Sequence, residues 1–158
     1  MGTYAGIGSR ETPDAVLRQM TTIAVWLHQK GFTLRTGGAS GADSAFERGS
    51  GSKKEIYRPR DATPAAMELA SKFHPAWNRC SEYAKNLHAR NGFQVLGINL
   101  DSPSNFVVCW TKDGKASGGT GQAIRIATHY GIPVFNLHDA SAEARMRAVV
   151  SEMMAGAA

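Results

Sequence analysis

Glycine-rich segments with hydroxyl side chains occur at three places in the sequence, and each follows a short apolar run. They span residues 6–10, 36–43 and 117–122. Glycine lets the backbone approach a phosphate closely and adopt positive φ. A helix that follows such a turn directs unpaired N–H groups and a partial positive charge at the same point. The three segments therefore predict binding of a phosphate-bearing anion.

The predicted ligand-binding set from these turns contains glycines, hydroxyl donors and their polar neighbours. It comprises Gly8, Ser9, Arg10, Gly37, Gly38, Ala39, Ser40, Gly41, Asp43, Ser117, Gly118, Gly119, Thr120, Gly121 and Gln122. Arg10 would add a charged fork for phosphate oxygens. Asp43 is interpreted mainly as a helix cap whose carboxylate accepts from backbone N–H groups. If the chain is an enzyme, Asp43 and Glu47 are its candidate catalytic acids.

Several well-known motifs are missing from the sequence. The dinucleotide fingerprint G-x-G-x-x-G would need glycine at Glu11, and G-x-x-x-x-G-K-[ST] and G-x-S-x-G do not occur. No H-E-x-x-H or paired-ligand spacing relates the histidines, so no metal and no cofactor are predicted. The five histidines are His28, His74, His88, His129 and His138.

The elements that position the turns alternate between short apolar runs and amphipathic stretches, as in βαβ units. Strands are predicted over 4–7, 32–36, 54–58, 105–111 and 132–137. Helices are predicted from Pro13 with Thr12 as N-cap, from Asp43, within 64–100, over 122–130 and after Ser141. This order indicates an α/β fold over residues 1–158, a single Rossmann-like, doubly wound domain. Its five-stranded sheet would be mostly parallel, with helices on both faces and ligands at the carboxyl ends of the strands.

The composition is that of a globular protein with an anionic partner. The chain has 158 residues, of which 42% are hydrophobic and 20% charged, and its net charge is +5. The positive charge favours phosphates. Neither a membrane span nor a signal peptide is evident, so a cytosolic protein is expected. Cys109 lies in an apolar run and is predicted to be a reduced core thiol.

Further residues suggest contacts with a nucleic-acid strand. Arg48, Lys53, Lys54, Arg58 and Arg60 form a basic run that could follow a phosphate backbone. Trp77, Tyr83 or Phe93 could stack on bases. The alternatives are a solvated basic loop and aromatic side chains buried in the core.

The chain resembles the SLOG superfamily, in particular the single-domain DprA-like proteins of phage genomes. Residues 8–10 resemble the first phosphate turn of that family. Residues 37–45 are similar to the DprA signature G-G-A-R-G-I-D-x-A, which is the most specific match. Residues 88–91 resemble an R-N element, and 117–123 resemble both the later DprA turn and the P-G-G-x-G-T turn of LOG enzymes.

This resemblance implies a Rossmann-like sheet, a pocket for a nucleotide or nucleic acid, and dimerisation. It adds Arg90 and Asn91 to the ligand-binding set. Where DprA has arginine the chain has Ser40, and the LOG catalytic glutamate position falls on Ile124 or Arg125. No winged-helix domain is expected after Ala158. Because neither Ile124 nor Arg125 is an acid, LOG-type hydrolysis is disfavoured.

Three functions follow as hypotheses. The favoured one is a DprA-like protein, not an enzyme, that binds single-stranded nucleic acid in recombination or replication. A homodimer, a recombinase partner and a location in the host cytoplasm, if the chain is phage-encoded, accompany it. The second is a sensor or sponge for a small signalling nucleotide. The third is a LOG-type hydrolase of a nucleotide N-glycosidic bond.

Overall fold

A parallel five-stranded sheet forms the centre of the computed structural model, which describes residues 2–157. The predicted domain's first and last residues, Met1 and Ala158, lie outside that range. The strands are β1 (Thr3–Gly6), β2 (Thr33–Thr36), β3 (Lys54–Ile56), β4 (Phe106–Cys109) and β5 (Val134–Asn136). Their order is β3-β2-β1-β4-β5, and every neighbouring pair is parallel. The predicted α/β fold class is confirmed, with a sheet that is parallel throughout.

Helices connect the strands and cover the sheet. They are α1 (Asp14–Gln29), α2 (Ala42–Ser50), α3 (Pro64–Phe73), α4 (Glu82–Leu96), α5 (Gly118–His129) and α6 (Ala142–Ala157), with short 3₁₀ turns at Pro59–Asp61 and Trp77–Arg79. Between residues 2 and 157, no helix has the combination of length and apolar character that a bilayer crossing requires.

The two faces of the sheet are buried against different helices. Because successive side chains of a strand point to opposite faces, Tyr4 and Phe106 join a core with residues of α1, α2 and α6. Ala5 and Val107 face the other way and pack with residues of α4 and α5. This alternation gives three layers, helix–sheet–helix, and explains why the β4 run is apolar at every position.

Cys109 lies on the second of these faces, at the end of β4. It is free and fully buried, and burial raises the pKa of its thiol to about 12. The prediction of a reduced core thiol is therefore confirmed.

The starts of α1 and α5 differ from the predicted ones in ways that local hydrogen bonds explain. Helix α1 begins at Asp14 with Pro13 as its N-cap, because the Thr12 hydroxyl donates to the Ser9 carbonyl and holds the preceding turn instead. Helix α5 begins at Gly118 rather than at Gln122. The N–H of Gly121 already donates to the Ser117 carbonyl at 2.9 Å, which closes the first helical turn within the predicted loop.

Gly49 provides a test of the packing between α1 and α2. A β-carbon at this position would lie 2.4 Å from the Thr21 carbonyl oxygen and 2.8 Å from the Ala24 β-carbon. Gly49→Ala is therefore expected to lower the free energy of unfolding by about 1–3 kcal/mol through overpacking, measured by urea denaturation. The control is Gly156→Ala in α6, where no atom of residues 2–157, apart from the adjacent helix backbone, lies within 4 Å of the added carbon. Equal stability of the two variants would contradict the expectation.

Candidate phosphate-binding site

A cavity of about 870 Å³ opens at the carboxyl edge of the sheet. It lies next to the point where the strand order reverses, between β1 and β4, which is where open α/β sheets bind ligands. The predicted residues that line it are Gly8, Ser9, Arg10, Gly37, Gly38, Ala39, Ser40, Asp43, Arg90, Asn91, Ser117, Gly118, Gly119 and Thr120. The three glycine turns therefore meet around one cavity.

The first turn lies directly against the start of α2. A β-carbon at Gly8 would be 2.4 Å from the β-carbon of Ala42, so only glycine allows this approach. The N–H of Ser9 donates to the Trp110 carbonyl at 3.3 Å, which ties the turn to the end of β4. The side chain of Arg10 is exposed at the rim of the cavity.

The second turn leads into α2 through two glycines with positive φ, +70° at Gly38 and +84° at Gly41. Gly41 is the N-cap of α2 and has no side chain to cap the helix. The N–H of Ser44 already donates to the Ala39 carbonyl at 3.1 Å, so the first two N–H groups of α2, those of Ala42 and Asp43, are the ones available to an anion. Arg58 donates to the Gly38 carbonyl at 3.1 Å and brings its guanidinium to the cavity.

Asp43 holds the second turn in shape. Its carboxylate accepts from the Ala39 N–H at 3.1 Å, four residues earlier in the chain, so it stabilises the turn instead of capping α2 as predicted. The side chain is almost fully buried. Burial raises the pKa of Asp43 to about 6, although the hydrogen bond from Ala39 and the positive charge of Arg90 oppose that rise.

The third turn forms the start of α5. Ser117 is the N-cap, but its hydroxyl donates to Asp113 at 2.8 Å and does not cap the helix. The first N–H groups of α5 therefore face the cavity without a side-chain cap. The side-chain amide of Asn91 donates to the Gly119 carbonyl at 3.0 Å and connects this turn to α4.

Helix α4 forms one wall of the cavity. Arg90 donates to the Gly37 carbonyl at 3.3 Å. Within residues 2–157, its Nε is buried without a hydrogen-bond partner. Such a charged donor is costly to leave unpaired, so an anion in the cavity would satisfy it. Tyr83, two turns earlier, is 64% exposed at the cavity mouth.

The charges around the cavity are positive on balance. Arg10, Arg58 and Arg90 line it together with Asp43. His88 also lines it but adds no charge at neutral pH, because burial, His74 and nearby arginines lower its pKa to about 4.

Some predicted residues lie elsewhere. Gly41 and Gly121 are outside the lining, although both belong to the turns. Gln122 is fully buried and donates to the Ala70 carbonyl at 2.9 Å, so its role is in packing α5 against α3. Glu47 forms an ion pair with Lys54 at 3.3 Å and does not line the cavity.

The base-stacking candidates differ in exposure. Phe93 is fully buried in a core cluster with Tyr57, so the prediction that it could stack on a base is wrong. Trp77 packs against the same cluster, with the Lys85 ammonium 5.4 Å from the centre of its ring. Tyr83 is the exposed ring at the cavity.

The cavity is also lined by Ile7, Pro59, Leu87 and His88, which the sequence does not assign to the site. A signal for Leu87 exists in the sequence. Positions 83, 87 and 90 follow helical spacing and therefore share one face of α4. Of the predicted basic run, Arg58 lines the cavity and the other four residues do not.

Comparison with known proteins identifies a structural neighbour. No protein-family model matches the chain, and no curated protein matches its sequence. The fold is similar to that of DNA processing protein A from Helicobacter pylori, whose structure was solved for its single-stranded DNA binding mode. The TM-score is 0.60 and the identity 18%, over 85% of this chain and 64% of that one. The chain thus spans less than two thirds of that protein and shares its Rossmann-like α/β fold.

Proposed function

We propose that the chain binds single-stranded nucleic acid, with a backbone phosphate seated in the cavity at the carboxyl edge of the sheet. One observation carries this proposal: three glycine turns, from different parts of the chain, direct backbone N–H groups and arginine side chains at the same cavity. A phosphodiester takes hydrogen bonds from such groups in any base sequence, so the binding is expected to be largely independent of sequence.

The rim of the cavity favours a strand over a compact ligand. Tyr83 presents an exposed ring at the mouth, and stacking of a base on an aromatic ring tolerates every base. Arg10 lies exposed at the same rim, where it can reach a neighbouring phosphate. The net charge of +5 adds a long-range attraction for polyanions. The fold that the chain shares with a single-stranded DNA-binding protein also favours a strand as the ligand.

A small signalling nucleotide is the second candidate, and the size of the cavity favours it. Its volume of about 870 Å³ lies within the range of roughly 300–1,000 Å³ typical of small-ligand pockets. Such a sensor or sponge would use the same turns for the nucleotide phosphates. A LOG-type hydrolase is the third candidate, with Asp43 as the acid that lines the cavity.

We further propose that this binding serves DNA recombination or replication in the cytoplasm, with a homodimer as the working form and a recombinase as partner. Sedimentation of the purified chain with and without a single-stranded oligonucleotide would test the dimer.

The proposed function predicts a salt-dependent affinity for single strands. Fluorescence anisotropy with a labelled oligothymidylate should show a log–log slope of about 0.7 for each phosphate contact. A flat salt response would contradict strand binding. In that case, a nucleotide released from the denatured protein and identified by mass spectrometry would support the sensor. Release of free base from nucleoside monophosphates would support the hydrolase.

Arg10→Ala and Arg90→Ala are each expected to weaken oligothymidylate binding by roughly 1.5–3 kcal/mol, because each removes a charged donor to phosphate. Arg18→Ala is the matched control, since Arg18 is exposed on α1 and does not line the cavity. Arg90 also supports the Gly37 carbonyl, so circular dichroism must show that its variant is folded. Unchanged affinity in both variants would mean that the strand binds elsewhere.

Binding should strengthen as pH falls towards 6. Asp43 has its pKa raised to about 6, so it is mostly ionised at pH 7.5 and repels phosphate. Protonation at lower pH removes this repulsion, and the affinity should rise by at most about tenfold per pH unit. Phosphodiesters do not titrate in this pH range, so a change in oligothymidylate affinity reports protonation of the protein and not of the ligand. Asp43→Asn should bind with little pH dependence, and Asp101→Asn should behave as wild type. A pH dependence that survives in Asp43→Asn would rule out this assignment.

A further inference from the structure

Three potential metal ligands lie together beside α4. They are His74, which follows α3, Cys80, which follows the 3₁₀ turn Trp77–Arg79, and His88 on α4. One ligand atom from each lies within 4.8 Å of the others. The Cys80 sulfur is 3.8 Å from Nε2 of His74, and the centres of the two imidazole rings are 4.3 Å apart.

We propose that His74, Cys80 and His88 bind one Zn²⁺ ion. Two imidazole nitrogens and a thiolate are the ligands that zinc prefers, and tetrahedral coordination leaves a fourth position for water. Zinc bonds of about 2.0–2.3 Å place tetrahedral ligand atoms about 3.3–3.8 Å apart. The 3.8 Å between the Cys80 sulfur and Nε2 of His74 already equals the upper end of this range. Small side-chain rotations of the three ligands would bring the remaining distances into it.

The backbone holds the three ligands in place. The N–H of His74 donates to the Ala70 carbonyl at 3.0 Å, and the N–H of Cys80 donates to the Trp77 carbonyl at 3.0 Å. His88 is fixed by α4, which packs against α3. The short connection between α3 and α4 therefore provides His74 and Cys80, and the rigid helix α4 provides His88. Because all three are already held near one another, little chain entropy is lost on metal binding.

His88 offers a nitrogen that the protein does not satisfy. Its Nδ1 is buried and, within residues 2–157, has no hydrogen-bond partner. Buried polar atoms are normally paired, and an unpaired one needs an explanation such as a missing ion. A metal bound to that nitrogen would provide the missing partner.

Two existing contacts change when the metal binds. The Ala76 N–H donates to Nδ1 of His74 at 3.0 Å. This bond is lost if zinc binds Nδ1, and also if zinc binds Nε2 and the ring proton moves to Nδ1. The Cys80 thiol donates to the Ala76 carbonyl at 3.5 Å, and zinc binding releases this proton to solvent as the zinc–thiolate bond forms. The free energy lost with the Ala76–His74 hydrogen bond is small compared with that gained from the zinc–thiolate bond.

Nearby positive charge makes the thiolate essential. Arg125 donates to the carbonyl of Phe73, next to His74, at 2.8 Å, and Arg90 follows His88 by two residues on α4, so both arginines would repel a dication. The Cys80 thiolate reduces the charge of the bound ion to one. Its loss should therefore weaken binding more than the loss of either imidazole. A depression of about 690 Å³, lined by His74, Trp77 and Arg79, gives solvent access to this side.

Cobalt titration of the purified full chain tests the site, because Co²⁺ replaces zinc and is coloured. A thiolate-to-cobalt charge-transfer band and strong tetrahedral visible bands are expected, and Zn²⁺ should abolish both. Cys80→Ser should remove the charge-transfer band and weaken Zn²⁺ binding by at least about 100-fold. His74→Ala and His88→Ala should each weaken the visible bands.

The control is Cys109→Ala, which removes the other cysteine and should keep the band. No charge-transfer band in the wild type, or a band that persists in Cys80→Ser, would overturn the proposal. Thermal melting without metal must show that Cys80→Ser is folded. Because Cys80 does not line the phosphate cavity, oligothymidylate affinity of the metal-free variant should equal that of the metal-free wild type, so failure of either site is seen separately.

Discussion

Three glycines at the carboxyl ends of β1 and β2 leave room for neighbouring groups to reach one cavity. A β-carbon at Gly8 would meet Ala42 at 2.4 Å, and those at Gly37 and Gly38 would meet the guanidinium groups of Arg90 and Arg58 at 2.7 and 2.5 Å. These close approaches set the spacing of the turns, the helix starts and the arginines. Without them, the cationic groups and the helix N-termini would not converge.

Side chains of opposite charge line the cavity. Arg90 reaches it from α4 while Asp43 reaches it from α2, and the carboxylate keeps the second turn in place through Ala39. A buried acid within a cationic pocket stabilises the loop before any ligand arrives. The same acid limits how strongly an anion is held. Preorganisation of the turn and affinity for phosphate are therefore in conflict at one side chain.

Much of the fold follows from the sequence because the apolar runs are short, regular and separated by glycine. The meeting of the turns also follows, since parallel strands end at one edge. Helix starts at Asp14 and Gly118 were missed because side-chain hydroxyls bond locally and glycines enter the helix. The grouping of His74, Cys80 and His88 was not predicted, because it depends on how α3 packs on α4 and no fixed spacing signals it.

The two outermost strands, β3 and β5, have three residues each. So short an edge exposes few free backbone groups, which protects the sheet from adding a foreign strand and from edge-to-edge aggregation. It also restricts how two copies of the chain can associate. A continuous intermolecular sheet would rest on very few hydrogen bonds, so self-association of this fold is left to its helices and loops.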